Sequence, residues 1–170
     1  MPTGLKQSSS VVSIGFSVPE LAPNTFAQGE VDLNLSPLDR EVFVVLAINI
    51  DPQSPDALAA TDTAVNCSLT TTRQTAVQNL SNANCIAVAN ERIRAAGFVD
   101  GGVGFQTQSL ETPPASLDYI GIIATNDFFV QVIGQANALP KGCSGKLYGY
   151  RATATADIFA ALVQSEVLSA

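Results

Sequence analysis

Apolar and polar residues alternate with period two along much of this chain, as expected for strands with one face buried. Val31, Leu33 and Leu35 alternate with Glu30, Asp32 and Asn34, which predicts a half-buried strand. Ser36-Pro37-Leu38-Asp39 then supplies turn chemistry, with Pro setting φ and Asp able to bond its own backbone. Over 41–51, Val42, Val44, Leu46, Ile48 and Ile50 form one face of a core strand, and Phe43, Val45 and Ala47 make the other face apolar as well. A strand apolar on both faces is covered on both sides, or on one side by a neighbouring subunit. Pro52 and Pro55 end it, because neither can donate to a ladder.

The alternation resumes over 64–72, with Val65, Cys67 and Leu69 opposite Asn66, Ser68 and Thr70. The segment 85–96 fits two periods. Ile86, Ala89, Ile93 and Ala96 suit a helical face, while Ile86, Val88 and Asn90 suit a strand. The helical reading is preferred, because it leaves Glu91, Arg92 and Arg94 off the apolar face. Gly97, Gly101, Gly102 and Gly104 mark a turn, a short strand is expected over 105–110, and Thr112-Pro113-Pro114 punctuates. Two short strands over 119–124 and 128–133 are separated by Thr125-Asn126-Asp127 in a hairpin-like pattern. A strand over 146–155 and a helix over 157–168 complete the chain; the helix has Asp157 as N-cap and Ile158, Ala161, Leu162 and Ser165 on one face. The expected organisation is an N-terminal arm and first strand (1–23), a sandwich domain (24–156) and a C-terminal helix or arm (157–170). The fold class is all-β, an antiparallel β-sandwich with one or two short helices. A single jelly roll is preferred over an immunoglobulin-like sandwich, because no Cys-Trp-Cys framework is present.

Composition narrows the chemistry. The chain has 170 residues, neither His nor Trp, and only 14% charged residues against 46% hydrophobic ones. The missing His excludes a Ser-His-Asp triad, a Cys-His dyad and every His-ligated metal site. A net charge of -7 argues against a nucleic-acid surface, which needs clustered Lys and Arg. Cys67, Cys85 and Cys143 match no zinc or redox spacing and read as small buried hydrophobes of a reducing compartment. The N-terminus lacks the continuous apolar run of a secretory leader, and 42–50 is too short to span a bilayer, so synthesis in the cytoplasm is the expectation.

Candidate sites are sparse. Asp51, Asp56 and Asp62 are oxygen donors in one loop, but two prolines and wide spacing favour a solvated acidic loop over a calcium site. Asp118 and Asp127 flank a strand without any sign that they meet, and the glycine run lacks a phosphate-loop pattern. Arg92 and Arg94 suit a surface ion pair or a subunit contact. Phe128, Phe129, Tyr148 and Tyr150 are the aromatic residues available to an interface or a ligand. No catalytic, metal or cofactor residue is assigned, and the chain is read as non-enzymatic. Scarce charge, two-sided strands and Ser/Thr-rich ends instead suggest that copies of the chain cover one another.

Three segments carry a resemblance: Glu30-Val-Asp-Leu-Asn-Leu-Ser-Pro-Leu-Asp-Arg-Glu-Val-Phe-Val-Val, Leu117-Asp-Tyr-Ile-Gly-Ile-Ile-Ala-Thr-Asn-Asp and Lys146-Leu-Tyr-Gly-Tyr-Arg-Ala-Thr-Ala. Their pattern, over roughly 24–155, resembles the single jelly-roll virion structural proteins of viruses that infect microbes. The resemblance implies a shell or shell-decorating subunit located in the virion, with copies of itself and other virion proteins as partners. It also implies terminal arms, here 1–10 and 164–170. One departure is that Lys6 is the sole cation before Arg40, so direct neutralisation of packaged nucleic acid is not expected. The alternative is a binding module of the same fold, a glycan- or receptor-binding head.

Overall fold

The computed structural model describes residues 2–95, 97, 105–108 (backbone only) and 117–170. Among the described residues, ten strands and one helix follow in order. They are β1 (Leu5–Gln7), β2 (Val12–Pro19), β3 (Ala27–Asp32), β4 (Glu41–Pro52), β5 (Thr63–Thr70), β6 (Cys85–Arg94), β7 (Phe105–Gln108), β8 (Gly121–Ile123), β9 (Asp127–Gln135), β10 (Gly142–Ala154) and α1 (Ala156–Leu168). The glycines at 101, 102 and 104 and the Thr112-Pro113-Pro114 break lie outside the described residues; the strand expected over 105–110 is present as β7.

Every pairing is antiparallel, and the strands divide into two five-stranded sheets. One sheet runs β1-β10-β4-β8, with β2 joining β10 beyond the end of β1; the other runs β3-β9-β5-β6-β7. The expected all-β sandwich is therefore present. Its core is a single layer between the sheets, where Phe16, Val18, Phe43, Val45, Cys143 and Leu147 meet Val65, Cys67, Leu69, Phe128, Val130 and Val132. Phe16 and Phe128 cross it edge to face, with centroids 6.0 Å apart.

A bulge decides how β4 is used. Tyr148 pairs with Ala47 and Gly149 with Val45, so Leu46 is an extra residue on β4. The side-chain alternation reverses there. Phe43 and Val45 point into the sandwich before the bulge, and Ile48 and Ile50 pack against the same core after it. Val42, Val44 and Leu46 face outward into a second cluster with Leu5, Tyr150, Ala152 and Ala154, roofed by Ile158, Phe159, Leu162 and Val163 of α1. The single face expected for Val42, Val44, Leu46, Ile48 and Ile50 is thus split between two cores. The outer cover of β4 comes from the chain's own helix.

Other expectations need correction. The segment Cys85–Arg94 is a strand rather than a helix, because β6 gains ladders to β5 and β7 and turns Arg92 outward while Glu91 is buried. The strands expected over 119–124 and 128–133 are not a hairpin: β8 lies against β4 in one sheet and β9 against β3 and β5 in the other. Leu33 and Leu35 have left the ladder after β3, where Asn34 adopts a positive φ of 50°, yet both remain buried. Helix α1 starts after Thr155, not Asp157, and Ala161 and Ser165 lie on its exposed side. Within the chain, β1 pairs with β10, and α1 seats on the same sheet.

Two glycines on β10 let aromatic rings lie flat inside the sandwich. A Cβ on Gly145 would meet the Phe16 ring and the Asn49 carbonyl, and one on Gly149 would meet the Phe43 ring and the Val44 carbonyl. Because part of each obstacle is backbone, the ring cannot simply move aside. Gly149→Ala is expected to cost about 1–3 kcal/mol through overpacking, read as a lowered urea midpoint, whereas the solvent-facing Ser144→Ala leaves the midpoint unchanged.

Candidate functional site

Chemistry-bearing side chains gather in three places, and the first is the end of the sandwich where the β2–β3, β4–β5 and β9–β10 loops meet. Glu20 is 5% exposed and accepts the backbone N–H groups of Gly134 and, at 2.8 Å, Lys141. Asn137, equally buried, accepts the Asp56 N–H and donates to the Ala64 carbonyl, while Asn24 and Asn137 exchange bonds between two of the loops. Asp56 accepts the N–H groups of Ala138 and Leu139 and pairs with the Lys141 ammonium. That ammonium, together with the two N–H groups, holds the Asp56 carboxyl below its ordinary value. The acidic loop therefore has an internal use. Asp56 is a latch, Asp62 accepts the Ala95 N–H, and Asp51 lies exposed on the outer sheet face. Among the described residues no three carboxylates or thiols are grouped to hold a metal.

This latch stiffens loops that display apolar side chains. Leu21, which follows Glu20, is 95% exposed, and Leu139, whose N–H Asp56 holds, is 63% exposed. Asn24 and Ala136 hold positive φ values of 58° and 54°, a conformation that costs an alanine about 1 kcal/mol or more. Flexible polar tips would solvate this end more cheaply. The sequence pattern missed Glu20 and Asn137 as organising residues, since their partners are up to 121 positions away and no local signal marks them.

The second place is the seat of α1. Glu166 is 7% exposed, and its carboxylate accepts the N–H groups of Ala124 and Thr125 at 2.9 and 3.0 Å. Burial pushes its carboxyl above the ordinary range more strongly than these bonds pull it down. Asp127 is also raised, first by burial and then by Glu30 and Asp32. Both of those carboxylates lie on β3, and Asp127 in turn helps to raise Glu166.

The third place is the outer face of the β3-β9-β5-β6-β7 sheet. The 71–84 segment folds back over it, and Gln131, fully buried, bonds Ser68, Thr70 and Gln28 beneath that cover. Beside this network opens a cleft of about 410 Å³ between Phe26, Gln78, Asn79, Val88, Asn90 and Arg92. Asn66 lines it, and its Oδ1 is buried with no hydrogen-bond partner among the described residues. Arg92 and Arg94 are exposed on this face.

The aromatic candidates lie elsewhere. Phe128 is fully buried in the main core, and Tyr150 is under α1. Phe129 is 6% exposed beneath the Arg73 guanidinium, 5.4 Å from its centroid, and Arg73 also pairs with Glu30. Tyr148 alone is half-exposed, on the outer face of β10. Phe128, Phe129 and Tyr150 are therefore buried within the chain itself. Cys67 and Cys143 are buried in the core from opposite sheets, and the Cys67 thiol is pushed far up by its interaction with Cys143 and by burial. No described helix is long and apolar enough to cross a membrane. No family model, curated protein or solved structure matches this chain.

The Glu166 seat makes helix docking sensitive to pH. Because the folded state holds this proton more tightly than the unfolded chain, its contribution is complete below the ordinary glutamate pKa of about 4.3. It is lost as pH rises through the elevated value. The wild type is expected to lose stability relative to Glu166→Gln as pH rises through the weakly acidic range, as measured by urea midpoints of both proteins across that range.

Proposed function

We propose that this chain is a structural, non-enzymatic subunit of a virion, a single jelly roll that assembles with copies of itself into a shell or a shell-decorating layer. The strand pairing supports the jelly-roll part. Setting aside the edge strands β1 and β7, eight strands remain, and the first pairs with the last (β2–β10), the second with the seventh (β3–β9), the third with the sixth (β4–β8) and the fourth with the fifth (β5–β6). Such nesting is what results when one long antiparallel ribbon is rolled into two sheets. Jelly rolls serve as capsid subunits, lectins and cupins, and a chain without His lacks the usual ligands of a cupin metal.

The observation that carries the assembly reading is the pair of leucines on latched loops. A monomer gains nothing by holding Leu21 and Leu139 rigidly in water, whereas a neighbouring copy recovers their burial at about 25 cal/mol per Å². Low surface charge acts in the same direction, since contact surfaces are depleted in Lys, Glu and Asp. With repeated weak contacts of this kind, closed symmetry rather than any single interface stabilises the particle. Purified protein is expected to give concentration-dependent closed oligomers or shells by sedimentation velocity and electron microscopy. Leu21→Ser with Leu139→Ser should shift the population to smaller species, and a wild type that is monomeric at every concentration overturns the proposal.

The cleft at Asn66 favours a second reading, a glycan-binding head. Carboxamides from Asn66, Gln78, Asn79 and Asn90 over an apolar floor suit a hydroxyl-rich ligand, with the unsatisfied Asn66 oxygen awaiting a donor. Binding on a glycan array that Asn66→Ala abolishes would establish it; an array without signal leaves the structural reading standing.

A further inference from the structure

We infer that the free edge of β2 is a self-pairing surface, on which a second copy of the chain adds its own β2 antiparallel about a two-fold axis at Gly15. This inference rests on the assembly reading above and names the contact it uses.

β2 pairs with β10 on one side, and no described strand pairs with its other side. The direction of each backbone group follows from the ladder. The Glu20 N–H donates to the Lys141 carbonyl, so Glu20 points toward β10. In an antiparallel pair the residues facing the partner alternate. Val18, Phe16, Ile14 and Val12 therefore also turn their backbone groups to β10, while Ser13, Gly15, Ser17 and Pro19 turn theirs outward. Pro19 agrees with this parity, since its missing N–H falls on the open side, where a ladder loses nothing.

Strand edges left open in monomers are usually protected by Lys, by an inward charge or by a bulge. Of these devices, and of the edge prolines that serve the same end, this edge has only Pro19 at its extremity: from Gln7 to Pro19 the chain carries no charged residue. The outward-facing positions hold Ser, Gly and Ser, all exposed and small enough for a second backbone to approach. A Cβ at Gly15 would have only the Gly145 carbonyl oxygen near it, at 4.0 Å, so this glycine is not required by packing within the chain.

The occupant follows from symmetry and fit. Val11–Pro19 has Gly15 at its midpoint, so an antiparallel copy centred there matches along the whole free edge. Gly15 would then pair with Gly15 of the second copy, and Ser13 with its Ser17. About six reciprocal backbone bonds result. The pairing also sets Val12, 42% exposed, against Val18 of the second copy on the core face, and Val11, 57% exposed, against its Pro19 on the outer face. The nearest charge on the outer face is Lys146, in register with Gly15 on β10. The two copies of Lys146 would stand three strand spacings apart, about 14 Å, beyond the screening length of about 8 Å at physiological salt.

The test uses the full chain. Gly15→Pro removes an outward N–H without touching the β10 ladder, and Ser13→Lys with Ser17→Lys places charge along the edge while keeping every backbone group. Both variants are expected to retain the wild-type circular dichroism. Each should weaken dimerisation by about 10- to 100-fold in sedimentation equilibrium, the loss expected for two backbone bonds or more. Independently of any variant, wild-type amide exchange at Ser13, Gly15 and Ser17 should slow as protein concentration rises. If the wild type assembles while those amides exchange freely and both variants assemble equally well, this pairing is wrong and the assembly reading survives. A wild type that never associates overturns both.

Discussion

The β4–β10 ladder must be apolar on both faces, and most of the structure follows from that requirement. One face closes the sandwich and the other receives α1. The two strands meet the double demand differently. β4 inserts Leu46 as a bulge and shifts its hydrophobic set from one face to the other partway along. β10 keeps an unbroken alternation and uses glycine where Phe16 and Phe43 need room. Val42 and Val44, fully buried beneath the helix, would otherwise form an exposed apolar stripe. The position of α1, the seat of Glu166 and the pairing of β1 beside the same stretch of β10 all serve to cover it.

Much of this was legible in the sequence where one period ruled. The strands around Val44, Val65, Val130 and Leu147 announced themselves by alternation, and the two-sided character of 42–50 correctly implied cover on both faces. Pattern was silent on which element supplies that cover, because a helix from the chain and a neighbouring subunit impose the same composition. It misread 85–96, where Glu91 is tolerated inside a sandwich and the ladder to β5 outweighs the helical spacing of Ile86, Ala89 and Ile93. The bulge at Leu46 left no trace, since every nearby residue is apolar and a reversed face looks the same as a straight one.

The polar machinery was the least legible part. Glu20, Gln131, Asn137 and Glu166 are all buried, and each satisfies groups on segments remote in sequence. Burying a carboxylate without partners costs several kcal/mol, so Glu20 and Glu166 hold loops in place only because two backbone N–H groups converge on each. Sequence reading favoured aromatic residues as contact candidates and found them inside. The surface that distinguishes this chain consists of leucines, serines and a glycine, residue types that attract no notice singly.

The nested pairing also governs when this molecule can exist during its own synthesis. Of the ten strands β10 comes last, yet it is the one to which β1, β2 and β4 all attach. Until the ribosome has released it, three strands lack their main ladder partner, and the apolar rows of β4 have nothing to lie against. Contacts of such long sequence separation form slowly. Until β10 emerges the nascent chain therefore carries exposed strand edges, an interval in which chaperones, or crowding by sister chains, decide between correct closure and premature association.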